Sequence, residues 1–230
     1  MRLLLIGLAC LLGACAHSPV DDPHDPYESW NRKVYGFNDA VDRAVLKPTA
    51  KAYVKVLPSP VRTGIGNFID NVFYPRVIVN DLLQAKWRHA GRDTTRFLLN
   101  STFGLAGLLD PATMVGLERR NEDFGQTLGY WGLGQGPFLM LPFLGPSTPR
   151  ELTGFGGDYL VNPLWGVDGS VTVPLAGLRV VNYRAGLLGS EGMIAQQFDP
   201  YLFIRGVYLQ RRLNLVHDGN PPKEAIDYGE

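Results

Sequence analysis

The sequence predicts an all-α protein: a bundle of amphipathic helices that surrounds a glycine- and proline-rich, hairpin-like segment. Apolar residues recur at helical spacing through most of the chain, and Asp-Pro and Thr-Pro pairs mark helix starts. No run shows the apolar–polar alternation, over strand length, that predicts a half-buried strand. The segment Asp123–Glu151 differs, because glycines and prolines interrupt its apolar side chains and exclude one regular helix.

The composition excludes several functional classes. Lys and Arg total 22 and Asp and Glu total 22, so the formal net charge is zero and nothing favours binding to nucleic acid. The four histidines form no ligand pair. We therefore predict no nucleic-acid partner, no metal site and no cofactor.

Residues 1–14 have the features of a lipoprotein signal peptide. Arg2 supplies a positive charge, and Leu3–Leu12 is apolar but too short to span a bilayer. Leu12–Cys15 resembles the bacterial lipobox, in which the peptide is cleaved before a cysteine that is then acylated. We predict that Cys15 is lipidated and that residues 15–25 form a tether; the alternative is an ordinary secretory signal with a chance cysteine. Ala16 is not the aspartate that commonly retains lipoproteins at the inner membrane, which favours the outer membrane.

The first helix of the mature chain is predicted to begin at Asp25 and to end near Lys47. Asp25 is a good N-cap, Pro26 suits the first helical position, and Glu28 completes a capping box. Pro48 is expected to stop the helix.

Further helices are predicted at short intervals along the chain. Their predicted ranges are Pro48–Leu57, Pro60–Val72, Pro75–Gln84, Ala90–Thr102, Thr148–Leu160, Pro174–Leu188 and Asp199–His217. Asp110 and Pro111 form another predicted cap and first turn. The helical domain therefore covers residues 15–217, and residues 218–230 are predicted to be a polar, disordered tail. No apolar run in the mature chain reaches the length of a membrane-spanning helix.

The chain lacks a recognisable catalytic constellation. Asp123–Gly125 copies the metal-binding tripeptide of kinases, but the other kinase motifs are absent. Gly132–Gly136 has the wrong spacing for a dinucleotide-binding loop, and no Gly-x-Ser-x-Gly motif is present. We predict that the protein is not an enzyme; a membrane-anchored phospholipid hydrolase is the competing class.

Two groups of polar residues are candidates for a path that lipid head groups follow. The amide-rich flank of the first helix and a pair of arginines one turn apart contribute Asn31, Tyr35, Asn38, Arg92 and Arg96. The alternative role of the asparagines is capping and helix–helix hydrogen bonding. The arginines belong to a basic cluster with Lys86 and Arg88, which is either a solvated helix face or a contact for anionic head groups.

Many spaced residues, in order along nearly the whole mature chain, resemble the MlaA family, also called the VacJ lipoproteins. The matches include Asp25–Glu28, Asn31–Arg32, Phe37–Asn38, Lys47–Pro48, Pro60–Arg62, Asn67–Phe68, Asn80, Leu83–Gln84, Arg96–Phe97, Asn100, Phe124–Gly129, Trp131–Gly132, Gly136–Pro137, Leu141–Pro142, Gly145–Ser147, Asp199–Tyr201 and Arg205. The strongest run is Phe124–Gly129. Ala85 departs from the pattern, since a glycine is usual there.

The resemblance implies an outer-membrane lipoprotein, anchored on the periplasmic side, that removes mislocalised phospholipid from the outer leaflet and so maintains lipid asymmetry. The implied fold is a monotopic ring of helices in the inner leaflet with an amphipathic channel. The implied partners are phospholipid, a trimeric outer-membrane porin, and a soluble periplasmic lipid carrier that feeds an inner-membrane ABC complex. A structural porin-binding scaffold is the alternative.

The segment Gly129–Pro146 is predicted to be mobile and to gate the channel. The residues that give the backbone freedom or exclude a regular helix are Gly129, Gly132, Gly134, Gly136, Pro137 and Pro142. A passive channel needs a gate, because phospholipid would otherwise flow in either direction. The alternative is a static loop wedged among helices.

Overall fold

The computed structural model describes residues 25–222, whose regular secondary structure is helical apart from one short hairpin. The helices are α1 (Glu28–Val41), α2 (Lys47–Val56), α3 (Ser59–Val72), α4 (Pro75–Leu83), α5 (Trp87–Thr102), α6 (Pro111–Met114), α7 (Phe124–Tyr130), α8 (Pro149–Leu160), α9 (Gly169–Gly186), α10 (Glu191–Ala195) and α11 (Pro200–Val216). Strands β1 (Leu139–Leu141) and β2 (Gly145–Ser147) pair antiparallel, with Met140 opposite Pro146. The all-α prediction and the predicted hairpin are confirmed.

The elements pack in a closed ring. Strand β1 packs on α1, β2 on α11, α11 on α7, α7 on α4, and α4 on α5. The circuit continues from α5 to α3, from α3 to α9 and from α9 to α2, and a π turn (Asp42–Leu46) joins α2 back to α1. The predicted ring-like arrangement is confirmed, and no single central core gathers the apolar faces of all the helices.

Burial in this ring is inverted relative to an ordinary soluble protein. Within residues 25–222, buried polar and charged residues outnumber buried apolar ones, 17 to 11. Large apolar side chains such as Trp87, Trp165 and Phe198 are exposed instead. Apolar surface on this scale marks contact with another apolar phase. None of the helices that the structure describes is long and apolar enough to cross a membrane.

Two predictions about the first helix are wrong. The helix begins at Glu28, and the Asp25 side chain does not cap it but makes long-range contacts. Pro48 does not stop it either, because the π turn carries the helical backbone into α2, and the Lys47 N–H bonds to the Asp42 carbonyl five residues back. A proline lacks the N–H donor and clashes with the carbonyl four residues earlier; the extra residue of a π turn relieves that clash.

Helix α7 and the first turn of α9 were not predicted. Both begin at an aspartate whose side chain accepts a hydrogen bond from the first turn: Asp123 from the Gln126 N–H, and Asp168 from the Ser170 N–H. Helix α9 therefore begins before Pro174, which lies inside it. The caps at Asp110 and Thr148 are confirmed.

The chain termini fall largely outside the described residues. The signal peptide, Cys15 and the tether up to residue 24 lie there, as do residues 223–230 of the tail. Asp218, the first residue assigned to the tail, belongs to the helical domain: its carboxylate forms ion pairs with Lys86 (2.6 Å) and Arg120 (3.2 Å).

Candidate functional site

Asn31 joins α1 to the hairpin. Its Nδ2 donates to Asp25 Oδ1 (2.7 Å) and to the Phe138 carbonyl (3.1 Å). Its Oδ1 accepts from the Met140 N–H (2.8 Å). The side chain is 0% exposed because the hairpin covers it, and its place on a lipid path stays a prediction. A primary amide carries a donor and an acceptor in one plane, so it pairs with strand backbone as another peptide group would.

Asn38 repeats the same contact farther along α1. Its Nδ2 donates to the Leu141 carbonyl (2.9 Å), and its Oδ1 accepts from the Phe143 N–H (2.8 Å). The amide is therefore engaged by the hairpin turn as well. Tyr35, the third residue of this flank, is half-buried and packs its ring edge-on against Tyr201, with centroids 6.0 Å apart. The alternative role, hydrogen bonding between elements, describes both asparagines.

Asp25 links the start of the helical domain to α11. Its carboxylate is fully buried and accepts from the Tyr201 hydroxyl and from Arg205 (3.0 Å) as well as from Asn31. Burial, and then the hydrogen bond to Asp25, raises the pKa of Tyr201, so the hydroxyl remains a donor. Asp25 thereby joins α11 to the part of the chain that precedes α1, beside the hairpin.

The hairpin has a buried base and an exposed tip. Phe138 and Met140 pack with Val34 of α1 in the main apolar cluster. At the tip Phe143 is 74% exposed and Leu144 69% exposed. Strand alternation sends Phe138 and Met140 inward, so only the tip of the hairpin presents apolar side chains to the outside.

The predicted gating residues occupy different environments. A Cβ on Gly129 would lie 2.9 Å from Val216 and 3.0 Å from Arg150, so this glycine permits close packing of α7. Gly132 and Gly136 have positive φ angles of 91° and 74°, and Gly134 meets open space. The remaining two flank the strand: Pro137 precedes β1 and Pro142 lies in the turn between β1 and β2. Conformational freedom in this segment is thus concentrated between α7 and β1.

Arg96 and Arg92 do not form one basic face. Arg96 is buried and donates to Asp110 (2.6 Å), to Thr113 (2.9 Å) and to the Leu117 carbonyl, so it holds the connection after α5. Arg92 is exposed and donates to the Gly116 carbonyl (2.8 Å). The predicted basic cluster is therefore divided between an internal ion pair and the surface.

Comparison with known proteins gives the family. Residues 23–215 match the family model for the MlaA lipoprotein. The intermembrane phospholipid transport system lipoproteins MlaA of Shigella flexneri and Escherichia coli are 36% and 35% identical over 241 residues, which cover 98% of this chain and 96% of each relative. The chain belongs to the MlaA lipoprotein family. A solved structure described as "Structural basis for maintenance of bacterial outer membrane lipid asymmetry" aligns with a TM-score of 0.76 and 34% identity, over 85% of this chain and 99% of that one.

The strongest MlaA run, Phe124–Gly129, has a packing explanation in this structure. A Cβ on Gly125 would lie 2.7 Å from Cδ of Glu151, and a Cβ on Gly154 would lie 2.6 Å from the Gly125 nitrogen. Helices α7 and α8 therefore pack backbone to backbone. The run itself does not reveal why Gly125 is needed, since the contact joins residues far apart in the chain.

An ion-pair network that sequence analysis missed anchors the same helices to α11. Arg212 binds Asp123 through both terminal nitrogens (2.7 and 2.9 Å) and also pairs with Glu151. Burial alone would raise the pKa of Asp123, but the hydrogen bonds and charge of Arg212 outweigh it and hold the pKa at about 2. The helices on either side of the segment, α7 and α8, are therefore fixed to α11.

The departure from the MlaA pattern at Ala85 also has a structural meaning. Ala85 follows the C-terminus of α4 with a φ angle of 55°, in the left-handed region that favours glycine. Its N–H bonds to the Leu82 carbonyl (3.0 Å), and the next N–H, of Lys86, bonds to the Asp81 carbonyl (2.8 Å). A glycine at this position would adopt this helix-ending conformation without strain.

Proposed function

We propose that this protein removes mislocalised phospholipid from the outer leaflet of the outer membrane and so maintains the asymmetry of that membrane. The observation that carries the proposal is the inverted ring, with polar groups buried and apolar groups exposed, in a chain of the MlaA family. Moving a zwitterionic head group through hydrocarbon is costly, and polar partners along the way lower that cost. The relatives from Shigella flexneri and Escherichia coli are named as phospholipid transport lipoproteins.

The proposed location is the outer membrane, with the protein anchored from the periplasmic side by acyl chains on Cys15. Several acyl chains on one cysteine exceed the threshold for stable attachment. The exposed apolar side chains, such as Trp87 and Trp165, then lie in the inner leaflet and give the ring a monotopic position.

Transport by this chain is proposed to be passive and to need partners. The sequence holds no nucleotide-binding motif, so direction comes from an acceptor: a soluble periplasmic lipid carrier that feeds an inner-membrane ABC complex. A trimeric outer-membrane porin is the proposed companion in the membrane. The segment Gly129–Pro146 is the proposed gate.

The function is tested in cells that lack this protein. Surface-exposed phospholipid amines are labelled in intact cells with a membrane-impermeant reagent, and the labelled fraction is compared with that in the parent strain. We expect the labelled fraction to rise on deletion and to return to the parental level when the intact chain is restored. An unchanged labelled fraction, with porin assembly impaired, would favour the scaffold instead.

The protein is proposed not to be an enzyme. We expect purified protein incubated with labelled phospholipid to release neither lysolipid nor fatty acid. Turnover that a single Ser or Asp substitution abolishes would establish the hydrolase and overturn passive transport.

A further inference from the structure

We propose that four arginines, Arg76, Arg119, Arg120 and Arg179, form a binding site for the phosphodiester of a phospholipid head group. The proposal rests on the proposed transport function and names a place where the cargo is held. The four residues line one small recess that is open to the surface. The recess lies where α3, α4 and α9 meet the connection between α6 and α7, so four parts of the chain contribute to it.

Two of the four guanidinium groups are already neutralised. Arg119 pairs with Asp70, which lines the same recess. Arg120 pairs with Glu122 (3.0 Å) and Asp218 (3.2 Å). These arginines add donors and positive potential to the wall, but their charges have partners in the protein.

The other two retain unused hydrogen-bonding capacity. Arg179 forms no ion pair with any residue from 25 to 222, and its guanidinium lies over the Phe73 ring, 4.5 Å from the centroid. Arg76 approaches only Asp158, at 3.6 Å, and its buried Nε has no hydrogen-bond partner within the described chain. A buried donor without a partner costs stability, so both groups favour an incoming anion.

The electrostatics agree with this geometry. Burial, and then repulsion from Arg76 and Arg119, lowers the pKa of Arg179, and Asp70 and Asp158 only partly oppose this. A guanidinium stays protonated in proteins. Its burial and the repulsion therefore lower the stability of the folded protein and do not remove the proton. An anion between Arg76 and Arg179 would offset both the burial of the Arg179 charge and its repulsion from Arg76.

The donor set selects the chemistry of the anion. Guanidinium forks match phosphate oxygens with paired hydrogen bonds. Phe73 and Val77 line the same recess and supply an apolar wall beside the charged groups. A phosphodiester that carries a glyceride fits such a mixed site, and inorganic phosphate shares its anionic part only.

The test uses the purified full-length protein in detergent and titration calorimetry with three probes: dihexanoyl phosphatidylglycerol, dihexanoylglycerol and inorganic phosphate. The variant is Arg179→Gln, and Arg43→Gln is the matched control, because Arg43 is exposed and pairs with Asp39 on its own helix. We expect the variant to weaken phosphatidylglycerol binding at least tenfold and the control to leave it unchanged. Dihexanoylglycerol carries no phosphate, so it should bind the parent and the Arg179→Gln variant with equal affinity.

Thermal unfolding in detergent separates binding from a structural role. Without lipid, we expect Arg179→Gln to unfold at the parental temperature or above, since it removes an uncompensated charge; a lower unfolding temperature would indicate a structural role. Arg76→Gln provides a second variant and should also weaken binding.

Three outcomes overturn the proposal. These are equal affinity of the parent and both variants for phosphatidylglycerol, Arg179-dependent binding of inorganic phosphate alone, and equal losses with Arg43→Gln. The cell assay of outer-leaflet lipid reports on the proposed function independently. An unchanged labelled fraction on deletion would remove the function while leaving a measured binding site in place.

Discussion

At the scale of single residues, buried polar side chains make the contacts that define this protein. Asn31 and Asn38 bind backbone groups of the hairpin, which lies more than 100 positions away along the chain. Asp25 and Arg212 join distant parts of the chain through charge-assisted hydrogen bonds, Asp25 with Arg205 and Arg212 with Asp123. Such networks are strong when every member has a partner and costly when one is removed.

Replacing Asn31 should therefore destabilise the fold. Asn31→Ala leaves the Phe138 carbonyl, the Met140 N–H and one Asp25 oxygen without their buried partner, which we expect to cost about 3 kcal/mol of unfolding free energy. Lys33→Ala, at an exposed position of the same helix, is the control. Chemical denaturation in detergent measures both, and equal midpoints would show that the amide contacts contribute little.

Asp81 should make stability depend on pH. It is fully buried, and burial, followed by its hydrogen bond with Asp93, raises its pKa to about 8. The folded state then binds more protons than the unfolded state between the ordinary carboxyl pKa and about 8. The unfolding free energy must fall as pH rises through that window. Asp81→Asn should flatten the curve; a variant as pH-sensitive as the parent would contradict this.

At the scale of elements, the hairpin is the part proposed to move, and the helices next to it are firmly joined to one another. Helices α7, α8 and α11 are joined by Arg212 and its carboxylates and by the close approach of Gly125 and Gly154. The hairpin itself is held to α1 mainly by the two asparagines and by Phe138 and Met140. Movement of the hairpin therefore requires release from α1, with α7 and α8 unchanged.

Replacing glycine by alanine is expected to have opposite effects on the unfolding free energy at a tightly packed site and at an open site. Gly125→Ala should destabilise by about 2–3 kcal/mol, because the new methyl meets Glu151, which ion pairs hold in place. Gly91 lies in α5, and a Cβ added there would meet no described atom within 4 Å beyond its own helix turn. Gly91→Ala should therefore raise the unfolding free energy by up to about 1 kcal/mol through helix propensity. Chemical denaturation measures both, and effects of the same sign would contradict the packing argument.

Tethering the hairpin tip tests the proposed gate. The rings of Phe37 and Phe143 meet edge to face with centroids 5.1 Å apart, so cysteines at both positions are within reach of a short, reducible thiol cross-linker. We expect cross-linked cells to accumulate outer-leaflet phospholipid and reduction to restore clearance. Each single-cysteine variant treated with the same reagent is the control. Normal clearance by the cross-linked protein, with folding and attachment unchanged, would make the segment a static loop.

At the scale of the whole molecule, the ring replaces the central apolar core of a soluble domain. The apolar cluster that exists lies around Phe138 and Tyr201, where the hairpin meets α1 and α11. Elsewhere in residues 25–222 most buried side chains are polar, and many large apolar side chains are exposed. A membrane leaflet is the environment in which this arrangement is stable.

Attachment to that membrane is predicted to depend on Cys15. Cys15→Ala should release the protein from the membrane fraction or leave an uncleaved precursor, since the acyl chains and the cleavage site are lost together. Fractionation and the mass of the mature protein measure this, with Cys10→Ala as the control within the signal peptide. Parental fractionation and processing of Cys15→Ala would exclude the lipid anchor.

Local chemistry along the chain determined the helical class, most helix boundaries and the hairpin-like segment. Helical periodicity, Asp-Pro and Thr-Pro caps and clustered glycines act over a few residues, so they can be recognised without a fold. The spaced motifs likewise led to the MlaA family. The same local logic failed at Pro48, where a π turn removed the expected clash, and at Asp25, whose carboxylate turned inward.

Only the tertiary structure decided what the polar residues do. Asn31 and Asn38 have the same spacing whether they face a channel or bind a strand, and the choice depends on the hairpin that folds against them. Arg96 and Arg92 are one turn apart, yet one is buried beside Asp110 and the other is exposed. Arg179 gains its place beside Arg76 only when α9 packs on the rest of the ring. Such pairings join residues distant in sequence, and their energies depend on burial, which no local pattern specifies.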